Sequence, residues 1–170
     1  MTPEEFEQAT KQITGQVSTM TLATCDGGIP WAADVYFAAD GFNFIFFSSP
    51  SSRHCRNLAA NPVCAVTIHP NVTSWREIKG IQMEGTAEPV ATVLDKARGL
   101  AAYLQKFPFA GELLGNTTAT VRAFSKAALY VFLPSRIFYL DNSQGFGTRH
   151  CVSMMDGSMD GLPEREKEGI

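Results

Sequence analysis

Several residue patterns that mark common protein classes are missing from this sequence. No run of about 18 apolar residues occurs, so no membrane-spanning helix is expected. The first residues, MTPEEFEQATKQ, are acidic and polar, which is the opposite of a secretory signal peptide. Scattered cysteines without a C-x-x-C pair predict free thiols in a reducing compartment and no metal site; they are Cys25, Cys55, Cys64 and Cys151. We therefore expect a cytoplasmic protein.

The sequence also carries little net charge. Lysines and arginines total 14, against 17 aspartates and glutamates, which gives a formal net charge of −3. This balance, without any long basic track, excludes a general attraction to nucleic acid or to an anionic membrane. Any anion site must therefore be local. Because 45% of the 170 residues are hydrophobic, the chain has enough apolar side chains for the core of one ordinary domain.

Alternating apolar residues and tight turns predict a mainly β protein. Thr2, Pro3 and Glu5 form a capping box that begins a helix reaching about residue 15. Strands are predicted at 17–24, 29–39, 42–49, 63–69, 79–90, 126–134 and 136–141, and further helices at 53–61 and 92–107. This order of elements favours an antiparallel barrel with peripheral helices.

Composition also predicts the limits of the folded domain. Residues 1–151 are expected to form a single domain, and residues 152–170 a mobile tail because they have little to bury. Residues 109–125 are ambiguous and favour two short helical pieces. The helix at 92–107 is expected to bury an apolar stripe formed by Leu94, Ala97, Leu100, Ala101 and Leu104.

Cations gather where the second helix begins, in the stretch SSPSSRHCRNLAANP at 48–62. Arg53, His54 and Arg56 lie in its first turns, where the helix dipole disfavours a cation by about 0.3–1 kcal/mol. An anion beside the turn would explain them, since guanidiniums and free backbone N–H groups together bind phosphate. A solvated basic face is the alternative.

The helical spacing divides this turn into two faces. One polar arc is predicted to contain Ser52, Arg53, Arg56 and Asn57. The inward face is predicted to contain Cys55, Leu58 and Ala59. Either Ser49 or Ser51 is expected to cap the helix.

The strand before this turn is apolar on both faces. Phe42, Phe44 and Phe46 point to one face, and Ile45 and Phe47 to the other. One face suits a barrel interior, so the other requires a helix or a second subunit. A wall of phenylalanines beside a phosphate site favours a ligand with a flat apolar head and an anionic tail.

A longer run, TLATCDGGIPWAADVYFAADGFNFIFFSSPSSRHCRNLAANPVCAVTI followed by GIQMEGTAEPV, resembles the flavin-binding split barrels related to pyridoxamine 5′-phosphate oxidase. The similarity spans about residues 17–90. It implies a six-stranded antiparallel split β-barrel and a homodimer with FMN at the subunit interface. The segment PSRIFYLDNSQGFGTRH looks like uncharacterised members of the family rather than the oxidase itself.

The resemblance also implies which residues contact FMN. The phosphate falls on Ser52, Arg53 and His54, where His54 replaces the family's lysine and Arg56 compensates for the lost charge. An aromatic-hydroxyl pair falls on Phe47 and Ser48, and the segment along the ring on Ala33, Asp34, Val35 and Tyr36. The family's flavin-contacting glutamine falls on Gly80, which leaves Lys79 or Gln82 as the substitute.

Together these features predict an FMN-dependent oxidoreductase that acts on an unknown small molecule. A non-catalytic flavin carrier or sensor and a haem-binding member of the same fold are the alternatives. The basic C-terminal motif of the true oxidases is absent, and a single late arginine, Arg149, is a poor second phosphate site, so oxidation of pyridoxamine 5′-phosphate is not expected. The segment 142–151 either closes over the flavin or is a terminal turn.

Overall fold

The computed structural model describes residues 1–115 and 126–166 of the chain. Its α-helices are α1 (Pro3–Gln16), α2 (Arg53–Ala60), α3 (Val93–Lys106) and α4 (Pro108–Gly115). Its strands are β1 (Thr19–Asp26), β2 (Ile29–Asp40), β3 (Asn43–Ser48), β4 (Val63–Ile68), β5 (Lys79–Pro89), β6 (Ala128–Asp141), β7 (Arg149–Met155) and β8 (Ser158–Glu166). None of the described helices is long and apolar enough to cross a bilayer. Of the ambiguous segment 109–125, residues 109–115 belong to α4 and the rest lies outside the described residues.

The strands form one antiparallel sheet in the order β3-β2-β1-β4-β5-β6-β7-β8. Strand β3 also pairs with β6, so β1 to β6 close into a six-stranded barrel. The predicted fold class, a mainly β protein with a six-stranded antiparallel split barrel and peripheral helices, is confirmed. The capping box at the start of α1 is also present, with Thr2 and Glu5 exchanging backbone and side-chain hydrogen bonds.

Strand β6 closes the barrel by bending at a bulge. The sequence predicts two strands on either side of Ser135, but the structure has one continuous strand there. Glu84 of β5 pairs with Arg136 and Gly85 with Pro134, so Ser135 is the extra residue. Pro134 is tolerated because a bulge does not require its missing N–H. The first half of β6 therefore pairs with β3, and the second half with β7.

Apolar side chains fill the barrel at close to zero exposure. The largest of them are Met20, Leu22, Phe37, Phe44, Phe46, Ile81, Met83, Phe132 and Ile137, each at most 2% exposed. Helix α1 adds Phe6 and Ile13 to the same cluster. The alternation of apolar residues that predicted these strands therefore also indicated which side chains form the core.

Helix α3 covers the second face of β3, but not with the predicted stripe. A Cβ at Gly99 would lie 3.0 Å from both Ile45 Cδ1 and Leu129 Cδ2, so the missing side chain lets the helix approach the sheet. Tyr103 packs edge-on against Phe47, with ring centroids 5.0 Å apart. Leu94 is 70% exposed, which shows that the predicted apolar stripe is wrong. A helix of the same chain thus covers this face of β3.

The predicted mobile tail is instead largely a β-hairpin. Strands β7 and β8 pair across a turn at Asp156 and Gly157, both with positive φ, and they extend the sheet beyond the barrel. Residues 152–166 therefore belong to the sheet, which corrects the sequence prediction. Strand β7 also buries Val152 and Met154 in the main core.

The same hairpin buries a histidine whose protonation should destabilise the fold. His150 is 6% exposed, and its Nδ1 has no hydrogen-bond partner among the described residues. Burial, followed by the nearby N-terminal amine and Arg165, lowers its pKa, and Asp141 opposes this only in part. Because the folded protein favours neutral His150, its stabilising contribution is present above the unfolded pKa of about 6.5 and falls as pH decreases below it.

We expect the free energy of unfolding to fall more steeply between pH 7.5 and 5 in the wild type than in His150→Gln. Each unit by which the histidine pKa is lowered is worth about 1.4 kcal/mol at low pH. Urea unfolding of both proteins at several pH values measures the difference. His54 and His69 are common to both proteins and cancel in the comparison. Parallel pH profiles for the two proteins would show that His150 does not titrate on unfolding.

Candidate functional site

Ser52 forms the cap at the start of α2. Its Oγ accepts a hydrogen bond from the Cys55 backbone N–H at 3.4 Å. Ser49 and Ser51 were the predicted caps, but their hydroxyl groups bond each other at 2.8 Å instead. The cap is therefore one residue later than predicted, which brings the Ser52 hydroxyl into the polar cluster described next.

Three of the predicted FMN contacts meet between the end of β3 and the first turn of α2: Ser52 and His54, predicted at the phosphate, and Ser48 of the predicted aromatic-hydroxyl pair. His54 Nε2 lies 2.6 Å from Ser48 Oγ and 3.1 Å from Ser52 Oγ. The two hydroxyl oxygens are themselves 3.3 Å apart. This Ser48–Ser52–His54 cluster is half-buried and lies against free N–H groups of the helix, so it offers several donors in one place.

The two predicted arginines lie at the exposed rim of this cluster. The Arg53 guanidinium lies over the Trp31 ring, 4.3 Å from its centroid, so β2 holds the arginine beside the turn. Arg56 donates a hydrogen bond to the Ser51 carbonyl oxygen. Both arginines are exposed, Arg56 turning toward the loop that precedes the helix and Arg53 toward β2.

The structure corrects two members of the predicted helix faces. Asn57 was placed on the polar arc, but it is 6% exposed and donates from Nδ2 to Thr24 Oγ1 at 3.0 Å. Ala59 was placed on the inward face, but it is exposed. Asn57 therefore ties α2 to β1 and does not contribute to an anion site.

Cys55 shows that these surroundings favour negative charge. Burial alone would raise the pKa of its thiol, but hydrogen bonds from His54, Ser52, Tyr130 and Ser48 outweigh burial and lower the pKa to about 7. The side chain is 2% exposed, so it is inaccessible to a large reactant. Sequence analysis treated Cys55 only as a packing residue, because nothing in the chain order indicates that Tyr130 lies beside it.

A polar row crosses the outer face of the barrel, beginning on β2. Asp34 pairs with Thr21, which pairs with Thr67, and the row then continues through Gln82 to Phe138. Thr21 Oγ1 donates to Asp34 Oδ1 at 2.6 Å. The row therefore joins two of the predicted flavin contacts, Asp34 and Gln82, across four neighbouring strands.

A second row of the outer face is unusually flat. Ala32, Ala23 and Ala65 are paired neighbours on β2, β1 and β4, and all three are exposed. The row ends in Glu84 and Arg136. Their three adjacent methyl groups form a flat surface, the alanine floor, that a flat molecule or a second barrel can approach closely.

The two rows line a continuous depression. One cavity of about 480 Å³ lies over Ala23, Ala65 and Gln82, and a groove of about 560 Å³ lies over Asp34 and His69. Thr21 and Thr67 line both. Cavities of this volume are large enough to hold the ring system of a cofactor.

The remaining predicted residues lie away from this depression or face it only in part. Val35 is 6% exposed and points into the barrel, so only its backbone is available there. Tyr36 is exposed and Ala33 is half-buried. Phe47 packs against α3. Lys79, at the start of β5 opposite Asp141, is not among the residues that line either cavity.

Sequence analysis missed a basic and aromatic wall at the far end of the cavity. The guanidiniums of Arg136 and Arg149 lie 4.8 and 5.1 Å from the Phe138 ring centroid. Arg149 is paired with Glu166 at 2.7 Å, and Arg136 pairs across the strands with Glu84. Arg136 lay at a predicted strand break and Glu166 in the predicted tail, so no local pattern indicated that both line this cavity.

The segment that follows β6 is an internal turn between two strands, not a terminal one. Asn142 is buried, and its Nδ2 donates to the Trp75 carbonyl at 3.0 Å. Phe146 is 78% exposed and lies edge-on to Trp75, with ring centroids 6.1 Å apart. An aromatic pair is therefore presented at the surface, next to the strand that carries Arg149.

Known proteins match this chain in both sequence and structure. The chain is 29% identical over 134 residues to the UPF0306 protein plu4501 of Photorhabdus laumondii, covering 78% of this chain and 85% of that protein. A heme binding protein from Mycobacterium smegmatis shares the fold with a TM-score of 0.68 at 24% identity. The match covers 86% of this chain but only 57% of the mycobacterial chain.

A FAD-binding protein from Mesorhizobium loti also shares the fold, with a TM-score of 0.59 at 18% identity over 76% of this chain and 90% of that one. The family model described as pyridoxamine 5′-phosphate oxidase matches residues 6–139, a span that includes the start of α2, the outer face and most of the barrel. The chain therefore belongs to the pyridoxamine 5′-phosphate oxidase-related family, without being the oxidase itself.

Proposed function

We propose that this protein binds FMN on the outer face of its barrel as a cytoplasmic homodimer, and that it is a flavin-dependent oxidoreductase acting on a small molecule. The observation that carries the proposal is the Ser48–Ser52–His54 cluster at the start of α2. Arg53, which follows Ser52 in the chain, lies over Trp31, the residue on β2 that precedes Ala32 of the outer face. An anion site next to a flat floor matches a ligand with a phosphate tail and a planar ring.

The residues at the α2 turn fit a phosphate group. Hydroxyls, an imidazole, a guanidinium and a helix N-terminus supply charge-assisted and neutral donors together. The lowered pKa of the Cys55 thiol supports this fit, because hydrogen bonds from Ser48, Ser52 and His54 are among those that favour its ionised form. Arg53 and Arg56, both exposed, would hold the phosphate from the solvent side.

The outer face fits a planar ring and a second subunit. A ring laid on Ala23, Ala32 and Ala65 would be bordered by hydroxyl and amide groups of the polar row. Val63, two residues before Ala65 and on the same face of β4, is 61% exposed. Large exposed apolar side chains near a cavity are typical of an interface, so a partner barrel would cover the ring and exclude water.

The cavity does not favour a substrate phosphate. Arg136 and Arg149 both lie over the Phe138 ring, but Glu166 is ion-paired with Arg149, and Glu84, opposite Arg136 across the strands, adds a second negative charge. A phosphate dianion would have to displace these carboxylates. We therefore propose a substrate other than pyridoxamine 5′-phosphate, with a neutral or weakly charged group at this wall.

The chain's own residues would bind and orient the reactants rather than form covalent bonds. FMN, when bound, supplies electron transfer. Gln82 and Thr67 would orient the ring edge, and Thr21 holds the Asp34 carboxylate in place. If no substrate reaches the ring, the same arrangement describes a flavin carrier or sensor.

Haem binding is the second candidate, and His69 is the observation that favours it. His69 is exposed and lines the polar groove, where an axial ligand would have room. Of the other histidines, His54 is held by two serines and His150 is buried. In the described part of the chain, no three or more histidine, cysteine or acidic side chains form a metal-binding group.

The absorption spectrum of the purified protein separates these candidates, and a titration tests the phosphate site. We expect a flavin spectrum, and FMN binding at least tenfold tighter than riboflavin, because riboflavin lacks the phosphate. Sedimentation of the flavin-loaded protein at micromolar concentration should give a dimer. A haem spectrum, equal affinity for the two flavins, or a monomer that retains FMN would contradict the corresponding part of the proposal.

A further inference from the structure

Arg149 is held in one orientation by contacts on three neighbouring strands. Its Nη1 donates to Gln82 Oε1 at 3.2 Å, and its Nη2 lies 2.7 Å from Glu166 Oε2. Its guanidinium lies over the Phe138 ring, 5.1 Å from the centroid. The side chain is 21% exposed, so this planar group is both oriented and partly shielded from water.

This contact determines how Gln82 presents its amide. A glutamine amide has one acceptor oxygen and one donor nitrogen, whereas a guanidinium has donors only. Arg149 therefore binds the Gln82 oxygen and leaves the Nε2–H₂ group as the part of the amide available to a ligand. Gln82 is exposed, and without Arg149 its terminal torsion would rotate freely between the two orientations.

The oriented amide lies on the wall of the cavity over the alanine floor. Gln82 pairs with Thr67 on one side and with Phe138 on the other, and all three line that cavity. A planar ring with carbonyl oxygens and unprotonated nitrogens on one edge would meet a donor there. The isoalloxazine ring has such an edge, and that edge becomes richer in electrons when the ring is reduced.

We infer that Arg149 is a positioning residue for the flavin, which fixes Gln82 as a hydrogen-bond donor to the acceptor edge of the ring and so favours its reduced form. The inference rests on the flavin binding proposed above. Reduction adds two electrons and at least one proton to the ring, and a donor aimed at the acceptor edge stabilises the resulting electron density. Glu166 supports the arrangement by holding the other end of the guanidinium.

A reductive titration with dithionite and a reference dye tests the inference in the FMN-loaded protein. We expect Arg149→Gln to lower the ratio of the affinities for reduced and oxidised flavin about tenfold. For a two-electron couple, this corresponds to a reduction potential about 30 mV more negative. Gln82→Leu should have a similar effect. In the Gln82→Leu background, Arg149→Gln should change the ratio less than twofold, because the group through which Arg149 acts is gone.

Arg165→Gln is the matched control. It removes one positive charge from β8, where Arg165 donates to Thr148 rather than to Gln82. We expect the ratio of its affinities for reduced and oxidised flavin to stay within twofold of the wild-type ratio. Two results would show that Arg149 acts only as a charge and would overturn the inference. In the first, Arg149→Gln has the same effect with and without Gln82. In the second, Arg165→Gln has as large an effect as Arg149→Gln.

The positioning can also be measured without flavin. In ¹⁵N-labelled protein, the Gln82 side-chain amide should be ordered in the wild type and mobile in Arg149→Gln, with the backbone signals of β5 unchanged. Equal mobility in both proteins would overturn the inference even if FMN binds. Failure of the wild type to bind FMN would instead overturn the proposed function, so the two failures are distinguishable.

Discussion

Replacing Gly85 with alanine is expected to destabilise the barrel by at least about 3 kcal/mol, the range reached by backbone and overpacking defects in a core. A Cβ at this position would lie 2.2 Å from the Leu133 carbonyl oxygen and 2.9 Å from the Pro134 Cα. Both are backbone atoms of β6, so neither can move aside as a flexible side chain would. The clash occurs at the bulge that lets β6 close the barrel.

Relief of this clash would require β6 to shift away from β5. Ser135, the extra residue of the bulge, donates from Oγ to the Glu84 carbonyl at 3.1 Å, and this contact would be lost as well. Gly15→Ala is the matched control, because nothing lies within 4 Å of its added methyl group. Near the end of α1, alanine should be neutral or stabilising by up to about 1 kcal/mol.

Urea unfolding monitored by far-UV circular dichroism compares the three proteins at one pH. The expected order of stability is Gly15→Ala at or above the wild type, with Gly85→Ala far below it or unfolded. A Gly85→Ala protein as stable as the wild type would show that β5 and β6 are not in contact at this bulge. Loss of stability in the Gly15→Ala control would indicate an effect of glycine replacement in general.

Periodicity predicted the barrel strands well because each has one face in the core. Val35 is buried between the exposed Asp34 and Tyr36, so its position carries the signal directly. The bulge gives no such signal: Pro134 and Ser135 look like a break between strands, and only the pairing of Gly85 with Pro134 joins the two halves. A local pattern cannot report that long-range pairing.

The same limit explains the errors around the site. The hairpin of β7 and β8 has few apolar residues, because β7 alternates buried and exposed side chains and β8 is largely exposed, with Pro163 its one buried residue. It was therefore predicted to be mobile. Arg149 and Glu166 meet only once this hairpin forms. Ser48, Ser52 and His54 are different, because they are close in sequence as well as in space.

The alanines of the outer face show a different limit. Ala23, Ala32 and Ala65 are unremarkable in the sequence, and each belongs to a different strand. Their meeting depends on the register of two strand pairs. Resemblance to a family predicted a flavin there, but the flat floor itself becomes visible only when the registers are known.

Removing both rim arginines, by Arg53→Ala with Arg56→Ala, is expected to weaken FMN binding about a hundredfold or more. Each charge-assisted hydrogen bond to a phosphate contributes about 1.5–3 kcal/mol, and two such bonds correspond to at least about 3 kcal/mol. Riboflavin should lose less than about threefold, because it has no phosphate for the arginines to bind. Fluorescence titration with both flavins measures the two losses in the same protein.

Arg98→Ala provides the matched control for loss of charge. Arg98 is exposed and paired with Asp40 at 3.0 Å, on α3 rather than at the α2 turn, so its removal changes net charge without changing the proposed phosphate site. We expect its FMN affinity to stay within about twofold of the wild type. The selectivity of the double variant is the decisive measurement, because Arg53 also stacks on Trp31 and Arg56 also bonds the Ser51 carbonyl. A structural disturbance of these contacts would weaken the binding of both flavins alike, whereas loss of a phosphate site would weaken the binding of FMN alone. Equal losses would therefore show that the basic turn is only a solvated surface. They would also remove the main support for flavin binding.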